Sequence, residues 1–248
     1  MGRKSPEKKL ELAEEKIRII SHLIFEIIHL NENNRIVCYS DALSKQIPPS
    51  FAGHSFQLFQ STMLNYEILR LCALWDKPKD NSNSIMTVID NVDDDRVLDL
   101  IYGRVREWFV PRDKVEFIGP IKKDDFTKSC PHLKTSRGNL DAIEAADEIA
   151  SAIKNAREVF ASDELHAMRI QRDKRMAHSL SDLTKERTRP VVLKYGFEKE
   201  ILEKTIPIIE TLYLWITGTQ FEIGKDSRKV ARMYAEDLWH SCSFTVQK

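Results

Sequence analysis

The sequence predicts an all-α protein, an antiparallel helical bundle with extra short helices and one irregular loop excursion near residues 110–138. Three observations predict it. Glycine occurs only eight times in 248 residues, alternating runs of β-branched residues are rare, and apolar side chains recur at steps of three and four. No segment repeats at a fixed period and none is of low complexity, so the reading is one domain over residues 1–248.

Residues from about Pro6 to Leu30 read as a long amphipathic helix, because Leu10, Ala13, Ile17, Ile20, Ile24 and Ile27 share one face. Ser5 stands where a cap belongs, and Pro6 falls in the first turn, where its missing N–H does no harm. The polar run "NENNR" is expected to end this helix. "SDALSKQIPPS" then gives a short helix stopped by two prolines. A second long helix is expected from about Phe51 to Trp75, with Phe56, Phe59, Met63, Tyr66, Leu69 and Ala73 as its apolar line.

"DKPKDNSNS" reads as a polar loop, after which Ser84 caps a short helix through Val92. Asp93 to Trp108 forms another helix, whose acidic start suits the helix dipole. Pro111, Pro120 and Pro131 make 110–138 irregular, and Asn139 to Phe160 is helical again. Ser162 caps a renewed helix, or marks a bend, on the way to His178. The polar residues Ser179 to Pro190 form a loop. A helix from about Phe197 to Ile216 aligns Leu202, Ile206, Ile209, Tyr213 and Ile216, with Pro207 expected to kink it or to mark a late start. Asp226 to Cys242 completes the set.

Composition excludes several classes. Lys plus Arg and Asp plus Glu number 38 each, so no global field draws the chain to nucleic acid or membrane. Cys38, Cys72, Cys130 and Cys242 lie far apart without a CxxC pair, which suits reduced thiols in a cytoplasmic protein. The start "MGRKSPEKKLELAEEK" lacks the apolar core of a signal peptide, and Pro6 stands where acylation at Gly2 would need Ser or Thr. No run of about 20 apolar residues offers a membrane span.

Neither a metal nor a cofactor is expected. HExxH, P-loop and GxGxxG patterns are missing. "CPH" at Cys130 to His132 lacks a second ligand pair, and the acidic run Asp90 to Asp95 lacks calcium-loop spacing. His22 and His29 share a face and read as a polar flank of the bundle. Trp75, Trp108, Trp215 and Trp239 read as core or interface anchors.

The charge is gathered locally. Between Leu165 and Lys194 stand Arg169, Arg172, Lys174, Arg175, Lys185, Arg187, Arg189 and Lys194, against Asp173, Asp182 and Glu186, an excess of five positive charges. Such a patch suits a polyanion, although a solvated helix face would look the same. His178 at its end adds chemistry, because a neutral imidazole can take a proton from a ribose hydroxyl near neutral pH. An arginine can hold the adjacent phosphate as charge builds.

Spacing sets a condition. On an unbroken helix Arg172 and His178 point roughly 120° apart and lie about 9 Å apart along the axis. They converge if the helix ends near His178, or if a second copy completes the site across a two-fold axis. Arg175, three residues before His178, is the rival phosphate contact. Lys174 and Arg169 would track RNA phosphates or face solvent. The bland reading of His178 is a histidine at a helix C-terminus, favoured there by the dipole.

"RDKRMAH", Arg172 to His178, resembles the signature of HEPN domains, in which an arginine followed by a polar residue precedes a histidine. Asp173 takes the polar place here. The "RDK…AH" form, with "YEILRLCALWDKP" and "NSNSIMTVIDNV", resembles the abortive-infection U-type branch of that family. On this resemblance 1–50 is an N-terminal helical extension, 51–220 the HEPN-like core and 221–248 a C-terminal helix.

The resemblance implies an all-α homodimer with Arg/His pairs facing each other across the subunit interface. It implies a metal-independent endoribonuclease of phage defence or of a toxin pair, with an antitoxin or nucleotidyltransferase as a further partner. Arg172 would contact the scissile phosphate, His178 would transfer the proton and Asp173 would orient one of them. Some toxin members carry a modified tyrosine two places beyond the histidine, where this chain has Leu180. Other members are non-catalytic modules that bind nucleotide, nucleic acid or protein.

Overall fold

The computed structural model describes residues 4–107, 131–173, 194–221 and 223–246. Among them are nine helices and no strand: α1 (Pro6–Val37), α2 (Asp41–Ser44), α3 (Phe51–Leu74), α4 (Ile85–Val92), α5 (Asp95–Glu107), α6 (Pro131–Phe160), α7 (Asp163–Arg172), α8 (Phe197–Thr217) and α9 (Lys225–Ser241). The fold is an all-α helical bundle built around α1, which packs against α2, α3, α4, α5, α8 and α9. No described helix is long and apolar enough to cross a membrane.

Local chemistry explains most boundaries. Ser5, Ser40, Ser50, Ser84 and Ser162 each cap a helix by accepting a backbone N–H with the side-chain oxygen. The apolar face expected on α1 is its core face, since Leu10, Ala13, Ile17, Ile20, Ile24 and Ile27 are all fully buried. On α8 the expected line also faces inward. That helix runs unbroken from Phe197 through Pro207, so the proline does not mark a late start.

Three expectations are corrected. "NENNR" does not end α1, which continues to Val37. Its polar residues are interior partners instead: Asn31 and Asn34 donate to the buried Glu67 carboxylate at 2.8 and 2.6 Å. Glu32, also buried, pairs with Arg35 and Arg232 at 3.0 and 3.2 Å, with Arg228 close by. A polar run stays helical when another helix supplies its hydrogen bonds.

The second correction is on α3, whose buried residues are Leu64, Glu67, Ile68, Leu71, Cys72 and Leu74. Phe59, Tyr66, Leu69 and Ala73 of the expected apolar line face outward. The helix is apolar on two sides, and periodicity could not tell which one meets the core. Thirdly, residues 131–138, expected to be irregular, are helical: α6 begins at Pro131, in the first-turn position that proline favours.

A candidate phosphate-binding groove

The sequence points to Arg172, Asp173 and His178 for the chemistry, with Lys174, Arg175 and Arg169 as RNA contacts. His178, Lys174 and Arg175 lie outside the described residues, as does the polar loop from Ser179 to Pro190. Arg172, Asp173 and Arg169 are described, and they stand where α7 meets the C-terminal end of α3.

Arg172 is the last residue of α7 and Asp173 its C-cap. The guanidinium donates through Nε to Asp173 Oδ1 and through Nη1 to Asp76 Oδ1, both at 2.8 Å. Burial acts to lower the affinity of this guanidinium for its proton. The two carboxylates outweigh that effect and hold its pKa above the ordinary value. Arg172 is thus a fixed cation on a groove wall.

Arg169 lies one turn earlier and turns inward. It donates to the Trp75 carbonyl at 2.6 Å and to the Phe160 carbonyl at 3.2 Å, with its guanidinium 4.4 Å from the Phe160 ring centre. Those carbonyls belong to the ends of α3 and α6, where helix dipoles leave partial negative charge. Arg169 therefore ties two helix C-termini to α7. Trp75, fully buried, donates its indole N–H to Thr205 Oγ1 on α8 at 3.0 Å.

The opposite wall is the loop between α3 and α4. Buried Lys16 of α1 donates to the carbonyls of Asp80 and Ser82, both at 2.9 Å, and Thr87 engages the backbone of Lys79. A long loop pinned at several carbonyls keeps its shape. Between it and α7 lies an open groove of about 910 Å³, lined by Lys77, Lys79, His166, Arg169 and Arg172, with Asp76, Asp80 and Asp173 among them. The cations suit phosphate groups, and the carboxylates hold part of that charge in place.

Asp76, Lys77, Lys79 and His166 were missed by sequence reasoning. A signal for Asp76 exists in "LWDKP". A carboxylate directly after a helix C-terminus meets an unfavourable dipole, so its presence there calls for a cation. Lys77 and Lys79 carried no such signal, since two lysines in a polar loop usually only meet water. His166 was overlooked because the basic run begins after it.

Among the described residues no three His, Cys, Asp or Glu side chains gather as a metal site would require. Neither a curated protein nor a solved structure matches the chain. A family model, HEPN_AbiU2 (AbiU2), matches residues 13–239. That span takes in most of α1 and most of α9 as well as the 51–220 stretch on which the resemblance rested. The chain belongs to the AbiU2 family of HEPN-domain proteins.

Proposed function

We propose that the protein is a metal-independent endoribonuclease of a prokaryotic phage-defence or toxin-type system, working as a homodimer. The observation that carries this reading is Arg172, a guanidinium held by two carboxylates in the wall of a cation-lined groove. HEPN family membership and the "RDKRMAH" motif support it.

In the proposed reaction a ribose 2′-hydroxyl attacks the adjacent phosphorus, and His178 accepts the hydroxyl proton. The P–O5′ bond breaks as the new P–O2′ bond forms. The products are a 2′,3′-cyclic phosphate and a 5′-hydroxyl that takes up a proton. Arg172 stabilises the negative charge that grows on the phosphoryl oxygens, and its planar fork suits that task better than a lysine would. Each step is proton transfer or charge stabilisation, which two side chains can supply. Lys174 and Arg175, next along the chain, would contact the strand, while Arg169 would serve by holding the frame.

A homodimer would place two such sites side by side. The outward apolar stripe of α3 supports that arrangement, since Phe51 is 94% exposed and Leu58 69% exposed. Tyr66, Leu69 and Ala73 continue the stripe to within three residues of Asp76.

The test is incubation of purified protein with RNA in EDTA. Cleavage leaving cyclic phosphate ends is expected, with His178→Ala and Arg172→Ala each slower by roughly a hundredfold. Intact RNA, or a His178→Ala protein that cuts like the wild type, would overturn the proposal. Salt-dependent RNA binding without scission would instead mark a non-catalytic module.

A further inference from the structure

Arg172 is gripped by two carboxylates that differ in what they can fix. Asp173 is its chain neighbour and moves with it, so the Nε contact restrains the side chain only relative to its own helix end. Asp76 lies 96 residues away on another element. Its contact is the one that ties the guanidinium to the far wall of the groove. A single hydrogen bond leaves a planar fork free to swing about the donor–acceptor line. A second bond from a different direction sets its plane.

The backbone that carries Asp76 is itself held from two sides. Trp75 is fully buried, its indole is bonded to Thr205 and its carbonyl accepts from Arg169. Asp76 is half-exposed, so the pair contributes little to stability. A contact of small stabilising value, at a place where the helix dipole disfavours a carboxylate, is better explained by orientation.

We infer that Asp76 is the positioning residue of Arg172. It sets the plane in which the guanidinium faces a phosphodiester lying in the groove between α7 and the α3–α4 loop. The inference rests on the reading of Arg172 as a phosphate contact. Asp76 does not touch the substrate; it acts through Arg172.

The experiment compares the full-length wild type with Asp76→Asn and Asp76→Glu, using two readouts. The first is the nitrogen-15 spectrum of the arginine side chains, with Arg172 identified by the signals lost in Arg172→Lys. Separate Nη1 and Nη2 signals are expected for Arg172 in the wild type, merging in Asp76→Asn as the fork begins to rotate. The second is single-turnover cleavage of RNA in EDTA. Asp76→Asn is expected to lower the saturating rate by roughly ten- to a hundredfold, the scale of a small misplacement. The half-saturating RNA concentration should change by less than about threefold, and Asp76→Glu should recover part of the rate.

Asp76→Asn that keeps separate Arg172 signals or the wild-type rate would overturn the inference. So would a rate loss matched by an equal loss of folded protein in a thermal melt, with no recovery in Asp76→Glu. A wild type that leaves RNA intact overturns the nuclease reading alone, and the merging of the Arg172 signals then decides the anchoring by itself.

Discussion

The indole N–H of Trp75 donates to Thr205 Oγ1 at 3.0 Å, and the same hydroxyl donates to the Ile201 carbonyl at 2.6 Å. Both residues are fully buried, so neither group has water to fall back on. The pair joins the end of α3 to α8 one residue before Asp76, which grips Arg172. Thr205→Val keeps the shape but removes the acceptor, leaving a buried N–H unpaired. A loss of about 1–3 kcal/mol is expected. Urea unfolding would show it as a lower midpoint at unchanged slope, whereas an unaltered midpoint would mean that the bond adds nothing.

Glu67 should give stability a pH dependence of its own. Burial pushes its pKa up to about 7, against the hydrogen bonds from Asn34 and Asn31 that favour the ionised form, while the Glu198 charge adds to the rise. A folded-state pKa above the unfolded one means that the native protein holds the proton longer. The stabilising contribution is therefore complete below pH about 4.5 and is lost as pH rises toward 7. Over that window stability should fall by about 3 kcal/mol, to order of magnitude. Glu67→Gln, which has no proton to lose, should flatten the curve. Denaturation midpoints collected from pH 4 to 8 provide the check, and parallel curves for the two proteins would rule out Glu67 as the source.

The α3 stripe should govern oligomeric state. A stable interface needs about 800 Å² per partner with an apolar centre, and Leu58, far from the Arg172 groove along the helix, lies on the exposed side. Leu58→Glu should convert a dimer to a monomer in sedimentation velocity, raising the dissociation constant by at least about tenfold. A wild type that sediments as a monomer at micromolar concentration would remove the stripe from the proposal.

Much of the fold was legible because helix formation is local. Serine caps at Ser5, Ser84 and Ser162 and the isoleucine spacing of α1 are properties of short windows, and the structure reproduces them. The errors came where a local pattern was ambiguous. α3 carries apolar residues on two faces, and only the position of its neighbours decides which one is buried. "NENNR" resembles a helix end because its partners, Glu67 among them, lie on another helix.

The candidate site divides in the same way. By itself the sequence determined an all-α chain with a basic cluster around "RDKRMAH", since composition, period and motif are all written along the chain. Only the tertiary structure decided that Asp76 meets Arg172, that Arg169 closes the ends of α3 and α6, and that Lys77, Lys79 and His166 share one groove. The pairings of Arg172 with Asp76 and of Arg169 with Trp75 span more than ninety residues and form only when the α1-centred core has brought the helix ends together. Their partners are chosen by packing geometry, which no short stretch of sequence contains.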